Sequence, residues 1–170
     1  MKAEDLRALQ APMKARYKEN PAAALVTLKA RGTLSQEITC TVATWKGEVE
    51  AGLHPATGGD GRSACSGDML LEALVGCAGV TLRAVATAMG IPVRGGTVTA
   101  EGDLDFRGTL GLSKEVDVGF LAIRLHFELN TDAPAEQVDK LIKLTERYCV
   151  VYQTLRKSPA ITTTFGLQGK

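Results

Sequence analysis

Four side chains of this 170-residue sequence have the chemistry of nucleophiles or redox centres: Cys40, Cys65, Cys77 and Cys149. No two are spaced as CxxC, and with His54 and His126 as the only histidines no Cys/His spacing suggests zinc. In a reducing compartment each is either a small buried hydrophobe or a reactive thiol. Cys40 reads as a strand residue facing the core. Cys77 stands apart, in the middle of Gly67–Gly90, GDMLLEALVGCAGVTLRAVATAMG. A free thiol ionises near pH 8.5, roughly, and burial in apolar surroundings pushes that upward. Cys77 lies about ten residues into its helix, where the dipole of that helix helps little. A thiolate there therefore calls for a nearby cation.

The element holding Cys77 is apolar around its whole circumference, with Glu72, Thr81, Arg83 and Thr87 its plainly polar residues between Met69 and Met89. Such a helix belongs in an interior. Asp68 suits its positive end, and Gly90 followed by Ile91-Pro92 stops it. Its polar ends and its Gly and Ala content argue against a membrane span.

Around it the periodicity changes several times. Asp5–Asn20 has Leu6, Leu9, Met13 and Tyr17 at helical spacing, as one helix or as two broken at Pro12. Ala22–Ala30, Gln36–Trp45 and Glu48–Leu53 read as a three-stranded meander with turns at Arg31-Gly32-Thr33 and Lys46-Gly47. The loop His54–Arg62 has three glycines, but their spacing fits neither common phosphate-binding motif. A loop feeding a buried helix is a natural place for a pocket. Strands follow at Gly96–Phe106 and Val116–Leu129, the second with Ile123, Leu125, Phe127 and Leu129 on one face. Pro134 opens a second helix, with Val138, Leu141, Ile142 and Leu144 or Thr145 as its buried stripe. Arg147-Tyr148-Cys149 leads to a short segment, Val150–Arg156, and Ala160–Leu167 is expected as a last strand. The order indicates an α+β fold with an antiparallel sheet.

Composition bounds the class. Apolar residues at 45% and charged residues at 23% fit a soluble globular domain, here 22–170, preceded by a helical extension, 1–21. Twenty Lys and Arg against 19 Asp and Glu suggest neither nucleic acid nor an anionic membrane as a partner. The N-terminus lacks the apolar run of a signal peptide, so a cytoplasmic protein is expected.

Three runs carry a family resemblance: Gly58-Gly-Asp-Gly-Arg62, Ser66-Gly-Asp-Met-Leu-Leu-Glu-Ala-Leu-Val-Gly-Cys77, and Glu146-Arg-Tyr-Cys149-Val. With them the chain resembles the OsmC/Ohr family, the osmotically induced and organic hydroperoxide resistance proteins, from roughly Leu25 to Leu167. The resemblance implies a small α+β domain forming an intertwined homodimer, the two long helices central and the sheets wrapped around them. It further implies that Cys77 is a peroxidatic and Cys149 a resolving cysteine. A hydroperoxide would be reduced by them, a dithiol would restore the thiols, and no metal, flavin or haem would be needed. The family's activating Arg matches Arg62 best, and its carboxylate matches Asp68, with Glu72 as a second candidate. Each is otherwise a solvated loop or helix residue. Arg83 lies on a different face. Val150 and Tyr152 depart from the Pro and Ser that relatives often carry after the second cysteine, and Ser66-Gly67 replaces the usual Pro before the carboxylate.

Three readings stay open at this point: a thiol-dependent peroxidase for organic hydroperoxides, a non-catalytic small-ligand-binding or redox-sensing protein, and a structural dimer. His54, Trp45 and Tyr152 are candidates to line a pocket, and equally for packing or loop roles. Cys65 is either a spectator or a partner for another thiol.

Overall fold

The computed structural model describes residues 1–35 and 37–167. Its axis is α2, Ser66–Met89, which begins after an extended Cys65 and carries Asp68 in its first turn. It ends at Gly90, whose φ of 68° is left-handed and whose N–H returns to the carbonyls of Ala86 and Thr87. Leu74, Ala78, Leu82 and Ala86 are buried, a row with a spacing of four that defines one face of the helix.

That row meets three later elements. The strands β5, Val93–Leu104, and β6, Phe120–Thr131, form a long antiparallel ribbon. Val98, Ala100, Ile123, Leu125 and Phe127 turn from it toward the helices, while Thr99, Glu101, Arg124 and His126 face solvent. At Gly96 the strands come so close that a Cβ would sit 2.2 Å from the Glu128 carbonyl oxygen. The helix α4, Ala135–Tyr148, buries Leu141 and Thr145, and α5, Val150–Arg156, follows after a break at Cys149. One core cluster joins Leu82, Ala86, Ile91 and Leu141; the other joins Leu74, Ala78 and Cys149.

The first half of the chain forms a separate sheet in the order β1 (Gly32–Leu34), β2 (Cys40–Thr44), β3 (Gly47–Gly52) and β4 (Ala64–Cys65). The expected meander is present, but it begins later. Ala22–Ala30, expected as a strand, is a 3-10 turn over Pro21–Ala24 and then unpaired chain, and the expected turn Arg31-Gly32-Thr33 leads directly into β1. Gln36, the expected first residue of the next strand, lies outside the described residues, as do residues 168–170. The sheet is not wholly antiparallel, because β3 pairs with β4 in parallel. Residues 160–167, expected as a last strand, have no ladder partner. Both departures share one cause: β-branched composition favours an extended chain, but a strand also needs a neighbour to accept its backbone hydrogen bonds.

The expected all-round burial of the central helix is also not achieved within one chain. Val80 on α2 is 73% exposed, and Leu28 and Phe165 flanking the fold are 87% and 92% exposed. By length and composition α2 is the one helix among the described residues long and apolar enough to cross a bilayer, and one face of it is the core of this domain. The N-terminal helix α1, Ala3–Glu19, runs unbroken through Pro12 and rests against α2. Its exposure lets water satisfy the carbonyl that the proline ring leaves free. A short helix α3, Phe106–Thr109, replaces the expected end of a strand and is capped by Asp105.

Candidate functional site

The site is built where the break between α4 and α5 touches the middle of α2. Cys149 has extended dihedrals, φ −73° and ψ 112°, so it ends one helix and begins the next. Its N–H is held by the Thr145 carbonyl, and its own carbonyl accepts from Gln153. These bonds fix the backbone on both sides and leave the side chain pointing inward, 1% exposed, against Leu74 and Ala78. Cys77 belongs to the same cluster, one residue before Ala78 on the partly covered flank of the buried row.

The two thiols therefore meet, although 72 residues separate them in sequence by the difference 149 − 77. Both are free. Burial pushes the Cys77 thiol up. The Val151 N–H, the Cys149 thiol, the Val150 N–H and the Thr81 hydroxyl outweigh it, and Cys77 lies below the ordinary thiol value. Cys149 moves the other way: burial raises it, and the neighbouring Cys77 charge raises it further, against the Tyr152 N–H. Tyr152 donates that N–H to the Cys149 sulfur at 3.5 Å. The surroundings thus act on the two thiols in opposite directions, Cys77 held down and Cys149 held up.

None of the groups that lower Cys77 is charged; two are N–H groups of the first turn of α5, where a helix leaves its donors unpaired. Arg62 is not brought to the thiol pair. It pairs with Asp60 at 3.4 Å, and its side chain is 89% exposed. Asp68 and Glu72 are exposed, and among the described residues neither forms an ion pair. Arg83 donates to the Val93 carbonyl. Cys40 and Cys65 lie in the first sheet.

Beside the thiols runs an open groove of about 450 Å³, lined by Leu74, Phe120, Ile123, Leu125, Tyr152 and Arg156 among others. Leu74 and Tyr152 belong both to its wall and to the packing around Cys149. Of the expected lining residues Tyr152 is there; His54 stacks on Phe106 at 5.1 Å, and Trp45 is fully exposed. Among the described residues no cluster of His, Cys, Asp and Glu is arranged to hold a metal ion. Sequence reading missed Thr81 and the α5 amides. Thr81 was readable in hindsight, one turn after Cys77 on the same face.

The family model for OsmC-like proteins matches residues 59–164, which contain both cysteines, the groove and α2. The chain belongs to the OsmC-like family. Solved structures agree on the fold. The OsmC-like protein of Mycoplasma pneumoniae superposes with a TM-score of 0.66 at 16% identity, over 78% of this chain and 89% of that one. An organic hydroperoxide resistance protein from Legionella pneumophila gives 0.63 at 18%, over 78% and 91%. One from Elizabethkingia anophelis gives 0.63 at 19%, over 79% and 91%. A search of curated protein sequences found no match. The resemblance read from the cysteine-bearing runs is thereby established for the family and for its α+β fold.

Proposed function

We propose that this OsmC-like protein is a thiol-dependent peroxidase acting on organic hydroperoxides. The observation that carries the reading is that Cys77 and the buried Cys149, far apart in sequence, pack in one cluster beside an open groove. The Cys77 thiolate attacks the terminal oxygen of R–O–O–H, the O–O bond breaks, and RO⁻ takes up a proton and leaves as the alcohol. Cys77 is left as the sulfenic acid. Cys149 attacks that sulfur, water leaves, and a disulfide remains. A dithiol then exchanges into the disulfide, ending as its own cyclic disulfide with both protein thiols restored. The aliphatic and aromatic part of the groove wall, Leu74, Phe120, Ile123 and Leu125, favours an alkyl or acyl hydroperoxide over hydrogen peroxide, with Glu146 and Arg156 as its charged groups.

The same reading includes a homodimer. Val80 on α2 and the apolar chain at Leu25, Leu28, Ile161 and Phe165 are uncovered within one copy, and a second copy is the simplest cover for them. Light scattering on the purified protein tests this; a monomer at micromolar concentration overturns it.

The decisive assay is consumption of cumene hydroperoxide with dihydrolipoamide as reductant. Turnover that vanishes in Cys77→Ser is expected. Consumption no faster than that of a free thiol overturns the peroxidase reading. A ligand-dependent rise in Tm that persists in Cys77→Ser, without turnover, establishes the binding or sensing reading instead.

A further inference from the structure

The groove beside the thiols has two unlike walls. From β6 it takes only apolar side chains, Phe120 to Ile123, Leu125 and Phe127. The helix wall adds the groove's two charges, Glu146 on α4 and Arg156 on α5. Glu146 is half-buried and Arg156 exposed, and among the described residues neither enters an ion pair. Along the helix wall Glu146 comes before Cys149, and Arg156 closes α5 after it.

A guanidinium beside an apolar wall suits one kind of ligand. A plain hydrocarbon leaves the cation unused, and a small inorganic anion leaves the β6 wall uncovered. A single-chain carboxylate uses both, because its chain covers apolar surface while its head accepts from the fork of N–H donors on Arg156. Local charge points the same way: from Thr145 to Lys157 the chain carries Arg147, Arg156 and Lys157 against Glu146 alone. The seven residues of α5 place Arg156 roughly 10 Å from Cys149, at about 1.5 Å per residue. A chain anchored at Arg156 therefore reaches the thiols with its middle carbons rather than its head. The groove, about 450 Å³, has the size of a small-molecule site.

We propose that the groove is a binding site for a single-chain carboxylate, its head held by Arg156 and its chain laid along β6 toward the thiols. This goes beyond the peroxidase reading, since it needs only the groove and its charges and no turnover.

Titration calorimetry of the reduced full chain with decanoate, decanol and decylamine tests it. Decanoate is expected to bind, with decanol and decylamine at least about tenfold weaker. Arg156→Gln should weaken decanoate by about tenfold and leave decanol unchanged, while Arg156→Lys keeps part of the affinity. Arg156 is exposed, so neither variant endangers the fold. Leu121→Glu, at a β6 wall residue that is itself exposed, should weaken decanoate as well, which locates the chain in this groove. Decanoate binding that Arg156→Gln leaves unchanged overturns the proposal. Tighter binding of decylamine also overturns it, by giving the head to Glu146. So does the absence of decanoate binding, the result if a second copy or residues 160–167 fill the groove. Decanoate binding without consumption of cumene hydroperoxide retains the site and removes the peroxidase reading; turnover without decanoate binding does the reverse.

Discussion

The two halves of this chain each hold two cysteines, and only one half makes something of them. Cys77 and Cys149 come from a helix interior and a helix break that pack face to face, and each alters the ionisation of the other. Cys40 and Cys65 lie two strands apart. Cys40 is opposite Ala51 and Cys65 is opposite Gly52. Ala51 and Gly52 are consecutive in β3, so the paired cysteines leave opposite faces of the sheet. Closeness along a sheet brought no contact between thiols, whereas separation along the chain did not prevent one. The meeting of two thiols here is a product of packing between helices. The first sheet leads into α2 at Cys65 but gives neither of its cysteines a facing sulfur.

Substitutions sharpen that contrast. Cys77→Ser is expected to reduce hydroperoxide turnover by about a thousandfold or more, as loss of a nucleophile does, whereas Cys40→Ser and Cys65→Ser change it less than about twofold. A large loss in either of the latter breaks the division between the halves. Cys149→Ser should lower steady-state turnover by about a hundredfold while leaving one rapid turnover. Mass spectrometry then detects one added oxygen on Cys77, the trapped sulfenic acid.

Stability should divide in the same way. Leu141→Ala removes a fully buried side chain shared by α2 and α4 and should cost about 2–5 kcal/mol in denaturant unfolding. Leu28→Ala, at a residue 87% exposed, should stay within about 0.5 kcal/mol for the isolated chain. If the dimer forms, the second value rises with protein concentration, which measures how far the first half depends on a second copy.

Ionisation gives a finer test. The rate of iodoacetamide alkylation at Cys77 follows its thiolate and should reach half its maximum below the ordinary thiol value. Because the folded value lies below the unfolded one, ionising Cys77 stabilises the fold. That contribution is complete above the unfolded thiol value and is lost as pH falls through the folded one. Val150→Pro deletes one N–H at a first helical position, where proline is tolerated, and the preceding Cys149 already has dihedrals compatible with it. The alkylation midpoint should move upward without loss of the fold. The smallest effect is expected for Arg62→Ala, less than about twofold in turnover, because Arg62 is an exposed partner of Asp60.

Much of the fold was legible along the chain. The limits of α2 follow from Asp68 and Gly90, because capping and helix breaking are decided by a few adjacent residues. The alternation of β6 showed its inner face for the same local reason. Residues 22–30 and 160–167 misled because a strand is a pairing, and the partner is not written in the segment itself. The site was half legible. The cysteines stood out by type and by resemblance. Arg62 feeds the helix in sequence, whereas its side chain in the folded chain turns to solvent beside Asp60.

The sequence by itself determined the α+β class, the central helix and the two cysteines of interest, since these depend on periodicity, residue type and short-range caps. Only the tertiary structure decided that the two thiols meet and that their surroundings shift them in opposite directions, Cys77 down and Cys149 up. Those outcomes depend on which groups surround a sulfur, and the electrostatic balance among desolvation, hydrogen bonds and neighbouring charge exists only once distant segments have packed.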